Sequence, residues 1–284
     1  MRVLDKKSVI LDIKGLGFSV ENLQRYRRLY NQSYGMVLVT GPTGSGKTTT
    51  LYSTLTEINS PTQNIITVEE PVEYRLDGIN QVQVNPKSGL NFASGLRSIL
   101  RQDPNIVMVG EIRDTETADI AIRAALTGHL VFSTLHTNDA AGAITRLIDM
   151  GTEPFLVASS VLGVIAQRLV RLICPDCRQK YSPDAESPAR LFLGSELDDN
   201  ITLYRGAGCP RCSHTGYKGR MSIHEVMPIS AALREAINQK VSSEALCKIA
   251  IAEGMKTMRE DGIEKAMRGL TTIEEVMRVA YSGL

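Results

Sequence analysis

The chain has 284 residues, enough for one large domain or two small ones, and its hydrophobic content of 43% permits a sizeable core. Its 32 Lys and Arg residues balance 31 Asp and Glu residues, which gives no support for a nucleic-acid-binding face or a polybasic membrane patch. No uncharged apolar run reaches the roughly 18 residues of a membrane span, and no secretory signal is evident, so the expected location is the cytoplasm, where thiols stay reduced.

Residues 1–34 read as the remnant of a preceding domain and its linker. They hold a strand end at Met1–Leu4 and a helix over Glu21–Tyr30 that starts after Ser19. Met36–Thr40 then reads as a short buried strand, and Thr48–Ile58 as a helix. Between them, Gly41-Pro42-Thr43-Gly44-Ser45-Gly46-Lys47-Thr48 satisfies the phosphate-loop pattern G-x-x-x-x-G-K-[ST]. Gly41, Gly44 and Gly46 lack a Cβ, so the backbone can curl and aim its N–H groups at a phosphate. The helix adds the positive end of its dipole. Lys47 can reach the β- and γ-phosphates of ATP, and the Thr48 hydroxyl can ligate Mg²⁺.

Asn64–Val68 reads as a second strand, and Ile65-Ile-Thr-Val-Glu-Glu-Pro-Val-Glu73 ends in acids suited to activating a water. Glu69 is the first choice for general base, with Glu70 and Glu73 as supports; ordinary charged loop residues are the competing reading. Ile79–Val84 alternates apolar and polar residues and predicts a hairpin or an edge strand. Phe92–Arg101 reads as a helix carrying Arg97 and Arg101. Ile106–Val109 is an apolar strand leading to Gly110-Glu111, where most P-loop proteins place an Asp. Glu111 is then left to act alone on Mg²⁺, through a metal-bound water. Arg113 follows it, a planar, permanently charged donor suited to a phosphoryl transition state. After a helix over Thr117–Leu126, the strand Leu130–Thr134 ends in a hydroxyl-rich turn carrying His136, placed to sense a γ-phosphate. A purely structural His is the rival reading there, and His129 is read as structural.

Helices are predicted over Asp139–Met150 and Pro154–Arg168. The alternation of strands and helices from residue 35 to 171 predicts an α/β fold, a parallel RecA-like P-loop sheet with helices on both faces. The character changes at Cys174-Pro-Asp-Cys177 and Cys209-Pro-Arg-Cys212, two knuckles separated by 31 residues. Four thiolates in two tight turns form the ligand set of a closed structural Zn²⁺ site. A redox pair or inert thiols are the alternatives. The polar stretch Gln179–Asn200 reads as loop or insert. Cys247 lies on an apolar helix face and reads as core. Helices follow over Ala231–Gln239, Ser243–Glu253, Met255–Met267 and Thr272–Tyr281, the last with a capping box in Thr271-Thr-Ile-Glu-Glu275. The expected division is a remnant at 1–34, a P-loop core at 35–171, a tetracysteine region at 172–222 and a helical subdomain at 223–284.

Taken in order, these motifs resemble the secretion ATPases of type II secretion and type IV pilus assembly, over essentially the whole chain. The resemblance rests on residues 41–52, 67–73, 100–105, 108–114, 127–137 and the segment from Cys209 to Arg220. It makes 65–73 that family's acidic box, with Glu70 where an Asp is usual, 106–111 its Walker B strand and 127–137 its histidine box. Ser222-Ile-His-Glu225 and Asp149–Phe155 look more like the type II branch. The resemblance also implies preceding amino-terminal domains, so the chain is expected to be a truncated gene product. Arginines of the neighbouring domain reach the nucleotide in that family, and Arg2 sits at one such position. A homo-hexamer docked on inner-membrane platform proteins is implied, peripheral to that membrane from its cytoplasmic side, without nucleic acid. Two other readings stand beside an ATP-driven motor: a nucleotide-gated scaffold with little turnover, and a nucleic-acid translocase with a zinc ribbon, disfavoured by balanced charge and few aromatics.

Overall fold

The computed structural model describes residues 12–184, 186–193 and 201–280. Arg2 and the strand end predicted at Met1–Leu4 lie outside the described residues. In chain order the elements are α1 (Val20–Tyr30), β1 (Gly35–Thr40), α2 (Lys47–Ile58), β2 (Ile65–Glu69), β3 (Asn80–Gln83), α3 (Phe92–Ile99), β4 (Ile106–Val109), α4 (Thr115–Leu126), β5 (Leu130–Leu135), α5 (Ala140–Asp149), α6 (Pro154–Ser160) and β6 (Val161–Ile173). These are followed by β7 (Arg178–Tyr181), α7 (Pro188–Leu193), β8 (Leu203–Gly206), β9 (Tyr217–Pro228), α8 (Ala231–Asn238), α9 (Ser243–Ala252), α10 (Met258–Met267) and α11 (Ile273–Ala280).

Seven strands form one sheet in the order β3-β2-β4-β5-β1-β6-β9. The pairs β2–β3, β2–β4, β4–β5, β1–β5 and β1–β6 are parallel. Parallel neighbours need crossovers, and α3 lies in the one from β2 to β4 and α4 in the one from β4 to β5. Every residue of β1, β2, β4 and β5 is buried, as expected for inner strands covered on both faces. No residue of β3 is buried, because it lies at the sheet edge. On one face, Val37, Val39, Met108, Phe132 and Ile165 pack with Tyr26, Leu51, Tyr52 and Leu55 of α1 and α2. Burying each such side chain contributes roughly 1.5–3 kcal/mol. The register aligns the carboxyl ends of the strands: Val68 opposes Val109, and Val109 opposes Ser133. The acids at the end of β2, Glu111 after β4 and the turn carrying His136 after β5 therefore emerge along one edge.

The chain forms two compact units, and their edges differ from the expected division. One unit is Met1–Gln167 with Glu225–Met255; the other is Arg168–His224 with Lys256–Leu284. The helix α1 belongs to the core of the first unit: the Tyr26 and Thr54 hydroxyls lie 2.6 Å apart, and Tyr26 is buried. The expected helical subdomain is divided, with α8 and α9 in the first unit and α10 and α11 in the second.

Other elements also depart from expectation. The helix predicted over Pro154–Arg168 ends at Ser160, and residues from Val161 onward extend as β6, paired with β1. A continuous apolar run has no readable period, and pairing with a buried central strand decides the conformation. Ile79–Val84 yields the edge-strand alternative, not a hairpin with β2, because β2 and β3 are parallel. The insert between the knuckles contains β7 and α7, and Tyr217–Pro228, just before the last helices, is a long strand.

In the second unit β7 and β8 are antiparallel, and Phe192, Leu193, Leu203, Ala266, Ile273 and Val276 form a small core. Glu275 accepts the Arg171 backbone N–H at 2.9 Å, the Arg171 guanidinium at 2.8 Å and Arg278 Nη2 at 2.9 Å. The capping box at the start of α11 is thus half formed. The Thr272 hydroxyl accepts the Glu275 N–H at 3.3 Å, while the Glu275 carboxylate serves the arginines.

Candidate functional site

The phosphate-loop pattern sits where β1 hands over to α2, all within the first unit. Gly41 has φ +150°, and a Cβ there would lie 2.5 Å from Ser45 Oγ and 2.6 Å from the Gln167 carbonyl oxygen, so only glycine fits. Lys47 Nζ donates to the Gly41 carbonyl at 2.8 Å and the Pro42 carbonyl at 3.2 Å, and Thr48 is exposed in the first turn of α2. Ser19, Asn91, Asp114, Asp139, Ser230, Ser242 and Thr257 cap their helices with side-chain hydrogen bonds. Gly46 caps α2 with none. No side chain covers the N-terminus of α2 as a cap, and a helix N-terminus of this kind suits an anion such as a nucleotide phosphate.

The acids expected to act together divide into two environments. Glu70 Oε2 pairs with Arg113 Nη1 at 2.9 Å, Arg113 Nη2 with Glu111 Oε1 at 2.5 Å, and Glu111 Oε2 with His136 Nε2 at 3.2 Å. Glu70, Arg113, Glu111 and His136 therefore form one chain of contacts across the ends of β2, β4 and β5. Glu69 is buried apart from it: its carboxylate accepts from Tyr52 Oη, from Thr67 Oγ1 at 2.5 Å and from Gln81 Nε2 at 3.1 Å. Glu73 is exposed, Arg97 pairs with Glu116 at 2.6 Å, and Arg101 is exposed. His129 Nδ1 lies 3.0 Å from the Ala124 carbonyl.

Gly110 stands where an Asp was the usual expectation. A Cβ there would meet the Val68 carbonyl at 3.3 Å and Glu69 Cα at 3.4 Å. The β2 backbone lies too close for a carboxylate at that position without local give, so Glu111 carries the acid of this strand.

Electrostatics tune Glu111. Partial burial pulls its carboxyl upward, but the hydrogen bond and charge of Arg113, helped by His136, outweigh this and lower its pKa. Arg113 is raised in turn, chiefly by its hydrogen bond to Glu111. Tyr52 is raised by burial and by its bond to Glu69, which keeps it a donor.

Sequence reasoning missed Tyr52, Gln81 and Gln167. Gln167 bridges the phosphate loop and α2, accepting from Thr50 Oγ1 at 2.8 Å and donating to the Ser45 carbonyl at 2.8 Å. Thr40 was missed as well: its hydroxyl lies 2.7 Å from the Thr137 hydroxyl and accepts the Thr137 N–H at 2.9 Å, which ties the histidine turn to β1. No local pattern marks these residues, because each partner is distant in sequence.

In the second unit the four knuckle cysteines converge, with all Sγ atoms within 4.8 Å of one another. Cys174–Cys209 and Cys177–Cys212 are each separated by 3.9 Å, and Cys209–Cys212 by 3.7 Å. These are thiol spacings and not disulfide bonds. A tetrahedral Zn²⁺ with Zn–S near 2.3 Å requires sulfurs about 3.8 Å apart, so the donor set and spacing both fit that ion. The Cys209 backbone N–H, opposed by burial and helped by the Gly216 N–H, lowers the Cys212 thiol to about 6; burial pushes Cys174 up to about 12. Cys247 is half-buried on α9, less enclosed than a core position, and outside this cluster.

The sequence model of the family described as "Type II/IV secretion system protein" matches residues 1–278. The chain belongs to that family. It is 54% identical over 279 residues to the type II secretion system ATPase E of Vibrio cholerae serotype O1, covering 98% of this chain and 55% of that one. It is 52% identical over 277 residues to the type IV pilus assembly ATPase PilB of Thermus thermophilus, covering 98% and 31%. The chain thus spans about half the length of the type II secretion relatives it matches. Among solved structures, the pilus retraction motor PilT with bound ADP is similar at TM-score 0.69 and 31% identity, over 94% of this chain and 66% of that one. The Legionella pneumophila ATPase DotB, at TM-score 0.69 and 22% identity over 96% of this chain and 66% of that one, shares the fold. Within that family the chain thus has both secretion and pilus-assembly relatives.

Proposed function

We propose that this chain is the motor portion of a type II secretion ATPase, hydrolysing ATP to drive pseudopilus assembly and protein export across the outer membrane. The observation that carries the reading is the convergence, on one sheet edge, of the phosphate loop and its helix with the contact chain from Glu70 through Arg113 and Glu111 to His136. In this reading Gly41–Thr48 cradle the phosphates. Lys47 leaves the Gly41 and Pro42 carbonyls for the β- and γ-phosphates, and Thr48 with Glu111 would hold Mg²⁺. When bound, that ion would supply positive charge against the charge developing on the phosphates. Arg113, already placed between two acids, turns one guanidinium edge to the transferring phosphoryl group, and His136 reports the γ-phosphate to Glu111.

For the water-facing base, the exposed end of the contact chain favours Glu70 over Glu69. Glu69 is the residue that ties β2 to Tyr52 and Gln81, and its buried carboxylate already receives three donors. The remaining parts of the reading follow the family: a homo-hexamer, docked through partner proteins on the cytoplasmic side of the inner membrane, with the cysteine quartet holding a structural Zn²⁺. Type IV pilus assembly is the second reading, carried by the PilB relative. A nucleotide-gated scaffold with little turnover is the third, favoured by Lys47 resting on the loop's own carbonyls.

Steady-state phosphate release tests the assignment. Lys47→Ala should abolish turnover, and near-normal activity would refute a P-loop mechanism. Glu70→Gln should lower kcat at least a hundredfold with ATP binding retained, and Glu69→Gln less than tenfold. The reverse order returns the base to Glu69. ATP binding with negligible turnover, alone and in the full-length protein, would favour the scaffold.

A further inference from the structure

We propose that Gln167 is the positioning residue of the phosphate loop, and that its side-chain amide sets the direction in which the loop presents its N–H groups. The proposal deepens the ATPase reading and rests on it. Gln167 is fully buried on β6, one residue beyond the pairing of Thr40 with Ala166. Its Nε2 donates to the Ser45 carbonyl at 2.8 Å, and its Oε1 accepts from Thr50 Oγ1 at 2.8 Å. Ser45 and Thr50 are themselves 3% and 1% exposed, so water does not compete for these atoms. The same residue's backbone carbonyl closes on Gly41, where a Cβ would approach it to 2.6 Å. One residue thus fixes both the start and the middle of the loop.

The consequence follows from peptide geometry. The Ser45 carbonyl and the Gly46 N–H belong to one rigid peptide plane and point in opposite directions. Holding that carbonyl inward holds the Gly46 N–H outward, toward an incoming phosphate. Gly46, at φ +91°, has the freedom to let this plane turn over if the hold is lost. A buried carbonyl without a donor would seek water, and turning the plane over would satisfy it. An amide gives a hydrogen to Ser45 and accepts one from Thr50 at once at every pH, whereas a carboxyl of the same size does so only when protonated.

Gln167→Glu keeps the volume and makes donation depend on protonation. A buried carboxyl is pushed upward, so raising the pH converts the introduced side chain from a donor to an acceptor only. Fluorescent ADP binding is measured for the unsubstituted protein, Gln167→Glu and Gln167→Leu between pH 6 and 9. The Kd of Gln167→Glu relative to the unsubstituted protein should rise at least tenfold from pH 6 to 9; this ratio cancels titration of the nucleotide. Gln167→Leu should be weakened at least tenfold throughout, or fail to fold, in which case the pH ratio of Gln167→Glu decides. A Gln167→Glu ratio that stays within threefold across the range would overturn the proposal, as would a loss that merely follows the unfolding of the nucleotide-free variant. If the unsubstituted protein binds no ADP, the ATPase reading itself fails and the proposal with it; normal binding by all three proteins overturns only the role of Gln167.

Discussion

Glu111 and Glu275 each hold two basic side chains, but one cluster is partly open and the other closed. The Glu275 side chain is 2% exposed and takes Arg171 and Arg278 together with a backbone N–H. Its partners share it with no other acid among the described contacts, so it locks α11 to the strand carrying Arg171. The Glu111 side chain is 16% exposed, and its Arg113 is contested by Glu70. Its His136 contact is the longest of the set, at 3.2 Å. An arginine shared between two acids can release one of them to a phosphate at little cost, whereas a fully satisfied carboxylate resists any rearrangement. We propose that similar chemistry serves a reorganisable cluster in one unit and a fastening in the other.

The comparison breaks most visibly if Glu111 proves structural. Glu111→Gln should reduce ATP turnover by about 10²–10³, about 3–4 kcal/mol in barrier, and leave the unfolding midpoint within about 2 °C. A large drop in thermal stability with retained turnover would erase the distinction. Next in size is the proposed Zn²⁺ site of the cysteine quartet. Chelation of Zn²⁺, or Cys212→Ser, should destabilise the second unit by several kcal/mol, seen as loss of one equivalent of metal and of protection from proteolysis within residues 168–224. Less than half an equivalent of zinc in gently prepared protein would count against the site.

Glu275→Leu should cost about 2 kcal/mol in urea unfolding, because it orphans the Arg171 N–H as well as two half-exposed guanidinium groups. ATP affinity should change less than twofold. The pH dependence sharpens this. Burial raises the Glu275 carboxyl, but Arg278 and Arg171 outweigh it and hold it near about 2. Its folded value lies below the unfolded one, so its contribution is complete above about pH 4.5 and is lost as pH falls toward about 2. After discounting for the exposed arginines, that contribution is about 1–2 kcal/mol. The stability gap between the wild type and Glu275→Gln should therefore close between pH 4.5 and 2, measured by urea denaturation; a gap that widens there would contradict the assignment. The smallest effect is expected for Arg113→Lys, a change of roughly tenfold in kcat with unchanged stability, because a lysine cannot bridge Glu70 and Glu111 at once.

Much of this organisation is legible residue by residue. The phosphate loop needs its glycines, Lys47 and Thr48 in fixed local order, so the sequence alone identifies it, and the knuckles Cys174–Cys177 and Cys209–Cys212 are legible for the same reason. The parallel α/β architecture follows from alternating strand and helix runs. Local pattern also located the acids of the β2 edge and the histidine turn. It put Glu69 ahead of Glu70 as the base, because the burial of Glu69 beside Tyr52 and Gln81 depends on neighbours distant in the chain and leaves no local sign. The extension of β6 from Val161 was hidden for a related reason: a continuous apolar run fits a buried helix or a buried strand equally, and pairing with β1 chose the strand. The half-used capping box at Thr272 shows the same limit, since the helix-start signal was present but Arg171 competed for the Glu275 carboxylate.

Covalent order and short-range stereochemistry thus determined the phosphate loop, the thiol ligand set and the fold class. Only the tertiary structure decided which acid faces outward, which arginine is shared, that Gln167 grips the loop and where one compact unit gives way to the next. Those outcomes depend on hydrogen bonds and burial between residues tens of positions apart, whose strength is set when water is excluded and carries no signature in local sequence.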